Sequence, residues 1–324
     1  MKPKVVVSAG RQEEVFITLN DVAEVRFVPS TDKERLFKEL KDAVALVADT
    51  APIDEELLER APKLRIVARF GVGYDNVDVE ACTRRGIYVT YTPNVLSDAV
   101  ADLTIGLMLC LSRNIIGADR YVRSKWAVEG GFGFPLGLDL KGKVLGIIGL
   151  GRIGYAVASR AKAFGMEIIY YDIVRKGEAE EKIGVRYVEF EDLLKSSDFV
   201  TIHVPLNEET RGMIGERELK LMKSTAYLIN TSRGSVIDEK ALVKALKERW
   251  IAGAALDVFV EEPLPLDSPL TKMENAILTP HIGSATKETR RRMALVNIEN
   301  IRAVLEGRVP PNLIPEQRGK TFMR

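Results

Sequence analysis

Residues 143–172 read KVLGIIGLGRIGYAVASRAKAFGMEIIYYD. Val144 to Ile148 is a short apolar run of strand length. Gly149, Gly151 and Gly154 follow in G-x-G-x-x-G spacing. Tyr155 to Phe164 then reads as a helix, with small alanines at 156, 158, 161 and 163, and Gly165 stands where a helix-ending glycine belongs. Glu167 to Tyr171 reads as a second strand, ending in Asp172. Strand, glycine turn, helix, strand and acid in this order predict a dinucleotide-binding unit. Gly149 permits the tight turn, Gly151 lets the backbone approach a pyrophosphate, and Gly154 lets helix pack on strand. The helix N-terminus offers unpaired N–H groups and the positive end of its dipole to the phosphates. Asp172 lies 18 residues past Gly154 (172 − 154). A carboxylate there accepts hydrogen bonds from the ribose hydroxyls and repels a 2′-phosphate. The expected cofactor is NAD, with Arg175 and Lys176 close enough to bear on the choice against NADP.

Around this unit, short apolar runs alternate with helical stretches. Strands are expected at 4–8, 22–28, 43–47, 64–68 and 86–90, then at 185–188, 199–204, 225–230, 251–258 and 276–278. Helices are expected at 32–40, 55–60 and 79–85, then at 191–196, 216–222, 238–248 and 286–306. Such alternation builds parallel sheets with helices on their faces. A chain of 324 residues exceeds one typical core. The expected fold class is therefore α/β, with two doubly wound parallel-sheet domains. A Rossmann NAD-binding domain, 99–289, is inserted into a flavodoxin-like substrate domain, 1–98 plus 290–324. Ligands of such sheets bind at strand C-terminal ends, so the expected site is the cleft between the domains. Residues 97–124 are expected to form one long apolar helix, buried on more than one side and suited to bridging domains or joining subunits. A loop follows, with Gly130, Gly131, Gly133 and Gly137 beside Phe132, Phe134 and Pro135.

A formal net charge of +1 gives no sign of a nucleic-acid partner, and Arg290-Arg291-Arg292 is short enough to be a solvated helix face. No apolar run reaches membrane-span length, and no signal peptide is expected. The two cysteines, Cys82 and Cys110, fit neither a metal nor a disulfide spacing. A cytoplasmic protein without a metal or membrane partner is expected. Glutamine occurs only as Gln12 and Gln317 while Glu, Lys and Arg are abundant, the balance found in proteins from hot environments.

Three charged positions follow strand-like runs in the second half. Arg233 stands in Asn-Thr-Ser-Arg-Gly, Glu262 follows Ala-Leu-Asp-Val-Phe-Val-Glu, and His281 stands in Thr-Pro-His-Ile-Gly-Ser. Taken singly, each has a plain structural explanation: a helix-start arginine, a solvated loop acid, a structural histidine. Together, at one sheet edge, they match the needs of hydride chemistry on a 2-oxo acid. Arginine binds the substrate carboxylate and polarises the carbonyl through a planar fork. Histidine protonates the nascent alkoxide near neutral pH. A carboxylate holds the imidazole and keeps it protonated until then. The sequence has only one other histidine, His203, which ends a strand and reads as lining the cofactor pocket, with the acid's role as its alternative. In Arg69-Phe-Gly-Val-Gly-Tyr-Asp-Asn-Val-Asp, Gly71 and Gly73 open a turn whose backbone N–H groups can hold a carboxylate, or which simply joins strand to helix.

These residues resemble the D-isomer specific 2-hydroxyacid dehydrogenases along nearly the whole chain. The resemblance rests on Gly-Leu-Gly-Arg-Ile-Gly at 149–154, Asn-Thr-Ser-Arg-Gly at 230–234, Ala-Leu-Asp-Val-Phe-Val-Glu-Glu-Pro at 255–263, Thr-Pro-His-Ile-Gly-Ser at 279–284 and Gly-Val-Gly-Tyr-Asp-Asn-Val-Asp at 71–78. It implies catalytic roles for Arg233, Glu262 and His281, and a substrate carboxylate held by Arg233 and the Val72 and Gly73 amides. It implies that Arg152 and Ile153 meet the pyrophosphate. Asp172 would meet the adenosine ribose, and Asp257 would accept from the nicotinamide amide. Val204, Pro205, Ser232, His281 and Ser284 would line the cofactor pocket. Members are usually homodimers, joined through the long helix and the loop around residues 120–140. Glyoxylate and hydroxypyruvate reductases share much of the pattern, although their tryptophan-rich loop is replaced here by Glu-Gly-Gly-Phe-Gly-Phe-Pro. Phosphoglycerate dehydrogenases are the alternative. They carry an arginine where Arg69 stands, but tend to have a cation in the loop that reads Ala48-Asp49-Thr50-Ala51 here. Transcriptional corepressors that sense NAD also resemble the family, and the intact Arg–Glu–His set argues for turnover instead.

Overall fold

Short β-branched and alanine-rich runs, each followed by a helix, leave the strands little choice but parallel pairing. The computed structural model describes residues 2–9, 12–131 and 134–322, so Phe132 and Gly133 of the glycine-rich loop lie outside the described residues. All ten strand pairings in its two sheets are parallel. The chain divides into Met1–Leu96 with Ser284–Arg324, and Ser97–Gly283.

The first unit holds β1 (Lys4–Val7), β2 (Glu24–Phe27), β3 (Ala43–Ala48), β4 (Ile66–Arg69) and β5 (Tyr88–Thr90), in the order β2-β1-β3-β4-β5. That is the flavodoxin-like order. Its first helices are α1 (Glu13–Phe16), α2 (Lys33–Leu40), α3 (Glu55–Glu59) and α4 (Val79–Arg84). Asp32, Asp54 and Asp78 stand just before the last three. Each carboxylate accepts from an amide three residues on, which is why those helices begin where they do. Val6, Leu46, Val67 and Val89 from the strands meet Leu40, Leu58 and Ala81 from the helices in one core. Gln317 is fully buried and fastens the C-terminal segment to edge strand β5. It accepts from the Val89 amide at 2.7 Å and donates to Thr83 Oγ1 and Ile87 O, each at 3.0 Å.

The second unit opens with α5 (Ser97–Arg113), α6 (Ile115–Ser124) and α7 (Trp126–Glu129). The single helix expected over 97–124 is therefore broken. Asn114 adopts φ 46°, ψ 46°, and the two pieces meet at a bend of 57°. Asparagine is one of the few residues that enters the left-handed region at low cost, so the apolar pattern runs straight through a turn that it does not signal. The two pieces differ in burial. Val100, Ala101, Ile105, Leu107, Met108 and Leu111 of α5 are buried, whereas α6 has no buried residue. Among the described residues no single helix is long and apolar enough to cross a membrane.

The sheet of this unit comprises β6 (Val144–Ile148), β7 (Glu167–Tyr171), β8 (Arg186–Tyr187), β9 (Phe199–Ile202), β10 (Tyr227–Asn230), β11 (Gly253–Leu256) and β12 (Ala276–Leu278), in the order β12-β11-β10-β9-β6-β7-β8. Read from β8, this is the Rossmann order with one further strand. The helices are α8 (Arg152–Ala163), α9 (Gly177–Ile183), α10 (Phe190–Ser196), α11 (Glu216–Leu221) and α12 (Glu239–Lys247). Arg160 of α8 pins α5 through Asp98 at 2.9 Å and Asp102 at 2.6 Å. Helices α1, α7 and α9 have only four, four and seven residues, too few to show an apolar periodicity, and no helix is expected there from the sequence. Finally α13 (Lys287–Leu305), capped by Thr286, belongs to the first unit. The division at Ser284 rather than at 289/290 puts the whole lead-in to α13 there, Ser284 included.

Candidate active site

Helix α8 begins at Arg152, not at Tyr155, and Gly151 is its N-cap. Gly154 therefore lies inside the first turn of the helix. A Cβ there would stand 2.2 Å from Gly149 O, so only glycine lets the helix press onto the turn. Gly149 has φ +90°, and a Cβ would lie 2.9 Å from both His203 O and Val204 Cγ1, at the point between β6 and β9 where the strand order reverses. Gly151 is different: a Cβ there meets nothing within 4 Å. No packing inside the protein requires that glycine. An open approach in front of the first amides of α8 fits the pyrophosphate of a dinucleotide, so the residues present suit NAD.

Asp172, at the end of β7, does more than its expected ribose role. Its Oδ2 accepts from the Leu150 amide at 2.9 Å and its Oδ1 from the Val174 amide at 3.1 Å, which ties β7 to the glycine turn. Lys176 Nζ lies 3.7 Å from Oδ1. His203 places Nε2 3.0 Å from Thr201 Oγ1, and burial pushes its pKa down to about 3. A histidine so shifted is poorly suited to donate a proton near neutral pH. Val204 stands against the Gly149 turn, and Pro205 follows it, exposed.

The β10 end is shaped by Asn230, which is fully buried. Its Nδ2 donates to Arg233 O at 2.8 Å, and its Oδ1 accepts from Ser232 N at 3.0 Å and Ser232 Oγ at 2.8 Å. The turn so fixed presents Arg233, whose Nη1 donates to Ser232 O at 2.8 Å. Gly234 follows. A Cβ there would lie 1.9 Å from the Phe259 carbonyl carbon, so the Arg233 turn rests directly on the segment that leads to Glu262.

Glu262 Oε1 accepts from the Phe259 amide at 3.0 Å, and its Oε2 pairs with His281 Nδ1 at 2.7 Å. Burial acts to raise this carboxyl's pKa. The His281 hydrogen bond and charge, the Phe259 amide and the charge of Arg233 outweigh burial and hold it below the usual range. With Nδ1 committed to the carboxylate, Nε2 is the nitrogen left to face a substrate. His281 itself adopts φ 52°, and its amide donates to Asp257 O at 2.9 Å and Thr279 O at 3.0 Å. Asp257 is fully buried beneath this loop. Its Oδ1 accepts from Thr279 Oγ1 at 2.6 Å and the Ile282 amide at 2.8 Å, and its Oδ2 from the Gly283 amide at 2.8 Å. Burial raises its pKa against these bonds. Asp257 thus builds the His281 loop, beyond the nicotinamide contact that the resemblance implies. Arg233, Glu262 and His281 come together, as their positions at three strand ends led one to expect.

Val72 and Gly73 lie in the first unit, in the turn after β4. Among the described residues neither of their amides donates to a protein acceptor. Arg69 is only 4% exposed, and its guanidinium underlies Gly71. Its Nε donates to Asn76 Oδ1 at 3.1 Å, while Asn76 Nδ2 donates to Asp49 O at 3.1 Å and Ala51 O at 2.7 Å. Arg69 and Asn76 brace the turn. The sequence reading missed Asn230, Gly234 and Asn76 as builders of the site. The signal for the two asparagines was a short amide side chain at a strand exit, where it can satisfy backbone groups.

The model of the D-isomer specific 2-hydroxyacid dehydrogenase NAD binding domain matches residues 105–283. Similar proteins include a glyoxylate reductase of Korarchaeum cryptofilum, 51% identical over 98% of this chain and 97% of that protein. Another is a glyoxylate reductase of Thermococcus litoralis, 52% identical over 97% of each. Among solved structures, an NADPH-dependent glyoxylate/hydroxypyruvate reductase of Sinorhizobium meliloti, in complex with NADP and malonate, superposes with a TM-score of 0.88. It is 34% identical and covers 100% of this chain and 99% of its own. The Gly149 turn, the Glu262–His281 pair with Arg233 beside it, and these likenesses agree: the chain belongs to the D-isomer specific 2-hydroxyacid dehydrogenase family.

Proposed function

We propose that the protein is an NADH-dependent glyoxylate reductase that also accepts hydroxypyruvate. The observation that carries the chemistry is the 2.7 Å contact of His281 Nδ1 with Glu262, a carboxylate that also feels the charge of Arg233. The bound nicotinamide supplies the hydride. Arg233 grips the substrate carboxylate and draws electron density from the carbonyl. His281 Nε2 gives its proton to the oxygen that becomes the hydroxyl, while Glu262 steadies the imidazolium.

The substrate class rests on the relatives named above and on Arg69. An arginine braced against Asn76 and 4% exposed is poorly suited to a substrate phosphate, which argues against the phosphoglycerate alternative. A homodimer is supported by a run of exposed apolar side chains, Ile115, Ile116, Val122, Trp126, Val128 and Leu136, the last two 89% and 99% exposed. A cytoplasmic setting at high temperature fits the scarce cysteine and glutamine and the thermophilic sources of the relatives. The test is NADH oxidation with glyoxylate, hydroxypyruvate and phosphohydroxypyruvate in parallel. Higher kcat/KM for the two unphosphorylated acids is expected. Preference for the phosphorylated acid would overturn the substrate assignment.

A further inference from the structure

The loop after β7 carries two cations, Arg175 and Lys176, beside the aspartate assigned to the adenosine ribose. Either could in principle neutralise a phosphate on the ribose 2′ oxygen, as arginines do in proteins that take NADP. The structure gives both of them other partners. Arg175 meets Glu180 of α9 in a two-pronged pair, Nε to Oε1 at 2.9 Å and Nη2 to Oε2 at 2.7 Å. Lys176 Nζ stands 3.7 Å from Asp172 Oδ1.

Glu180 is itself held. The Tyr170 side chain is fully buried, and its hydroxyl donates to Glu180 Oε1 at 2.7 Å while accepting from the Lys176 amide at 2.7 Å. One buried phenol therefore anchors both the acid that holds Arg175 and the backbone next to Arg175. The Arg175 and Tyr170 hydrogen bonds keep the Glu180 carboxyl down at about 2, so it is charged throughout the working pH range. Ile173 and Val174, the remaining side chains between Asp172 and Arg175, are exposed and apolar. A 2′-phosphate here would face the Asp172 carboxylate. To reach the phosphate, Arg175 would have to leave a bidentate partner and expose a second carboxylate beside it.

We propose that Glu180, anchored by Tyr170, is a specificity-determining residue that sequesters Arg175 from the adenosine 2′ position and so enforces NAD over NADP. The proposal rests on the assignment of Asp172 to the adenosine ribose. Glu180→Gln preserves shape and still accepts from the Tyr170 hydroxyl, but removes the charge that holds the guanidinium.

The experiment is isothermal titration of NADH and NADPH into the wild type, Glu180→Gln, Arg175→Ala and the double variant. For Glu180→Gln the NADPH dissociation constant should fall about five- to tenfold, the net worth of one ordinary hydrogen bond, while that for NADH stays unchanged. Arg175→Ala alone should leave NADPH binding as in the wild type, because the wild type does not use this side chain for the phosphate. The double variant should lose the gain. An unchanged NADPH constant in Glu180→Gln overturns the proposal. So does a gain that survives in the double variant, which would mean that removal of negative charge alone was responsible. The wild type tests the Asp172 assignment separately. NADH binding that is much tighter than NADPH binding upholds the Asp172 assignment whichever way Glu180→Gln behaves, and its absence overturns both.

Discussion

At the scale of single residues, several side chains prove to do two jobs. Asp172 is expected as a ribose ligand because it follows the second strand of the glycine-turn unit. Its bonds to the Leu150 and Val174 amides were not legible, since they depend on how the turn folds back over β7. Asp172→Ala should therefore relax the preference for NADH over NADPH and also weaken NADH itself, by about tenfold, as two turn amides lose their acceptor. Dissociation constants for both cofactors check this; an unchanged preference would mean the ribose contact is misplaced. His203 gives a pH prediction. Its pKa falls from 6.5 to about 3 on folding. Between those values the unfolded chain binds a proton that the folded one does not, so stability is full above about 6.5 and falls as the pH drops through the window. Denaturant unfolding of the wild type and His203→Gln from pH 7 to 4 should show a shallower loss in the variant. Parallel curves would show that His203 is not buried neutral.

At the scale of elements, the strands were legible almost throughout, because a period-two or continuous apolar run has few other readings. The helix over 97–124 was not, because Asn114 turns the chain through a left-handed conformation without interrupting the apolar pattern. The start of α8 at Arg152 also escaped, since glycines look like loop while Gly154 is in fact the contact surface of the first turn. Gly234 is the comparable case in the catalytic half. A methyl group there must displace the Phe259 backbone, 1.9 Å away, and with it the segment that carries Glu262. Gly234→Ala should cost about 2–3 kcal/mol of stability and lower kcat, as the Glu262–His281 contact is pulled out of line. Thermal melts and steady-state kinetics together check it. A variant that melts and turns over like the wild type would show that the loop yields freely.

At the scale of the whole molecule, the fold class and the meeting of Arg233, Glu262 and His281 were readable. Parallel strands bring their C-terminal ends to one edge, so position along the chain translates into position in space. The surface proposed to join a dimer was less readable, because α6 and α7 show their apolar residues only once the break at Asn114 separates them from the buried α5. Trp126→Glu with Val128→Glu should halve the mass measured by light scattering; an unaltered mass, or a wild type already monomeric, would remove those helices from any interface. The proposed turnover depends on one proton transfer from His281, which Glu262 holds at 2.7 Å. The most direct test compares kcat for glyoxylate and the NADH dissociation constant in the wild type and His281→Asn. The account predicts that kcat falls by a factor of about 10² to 10⁴ while NADH binding is kept. A variant that reduces glyoxylate at the wild-type rate would contradict it.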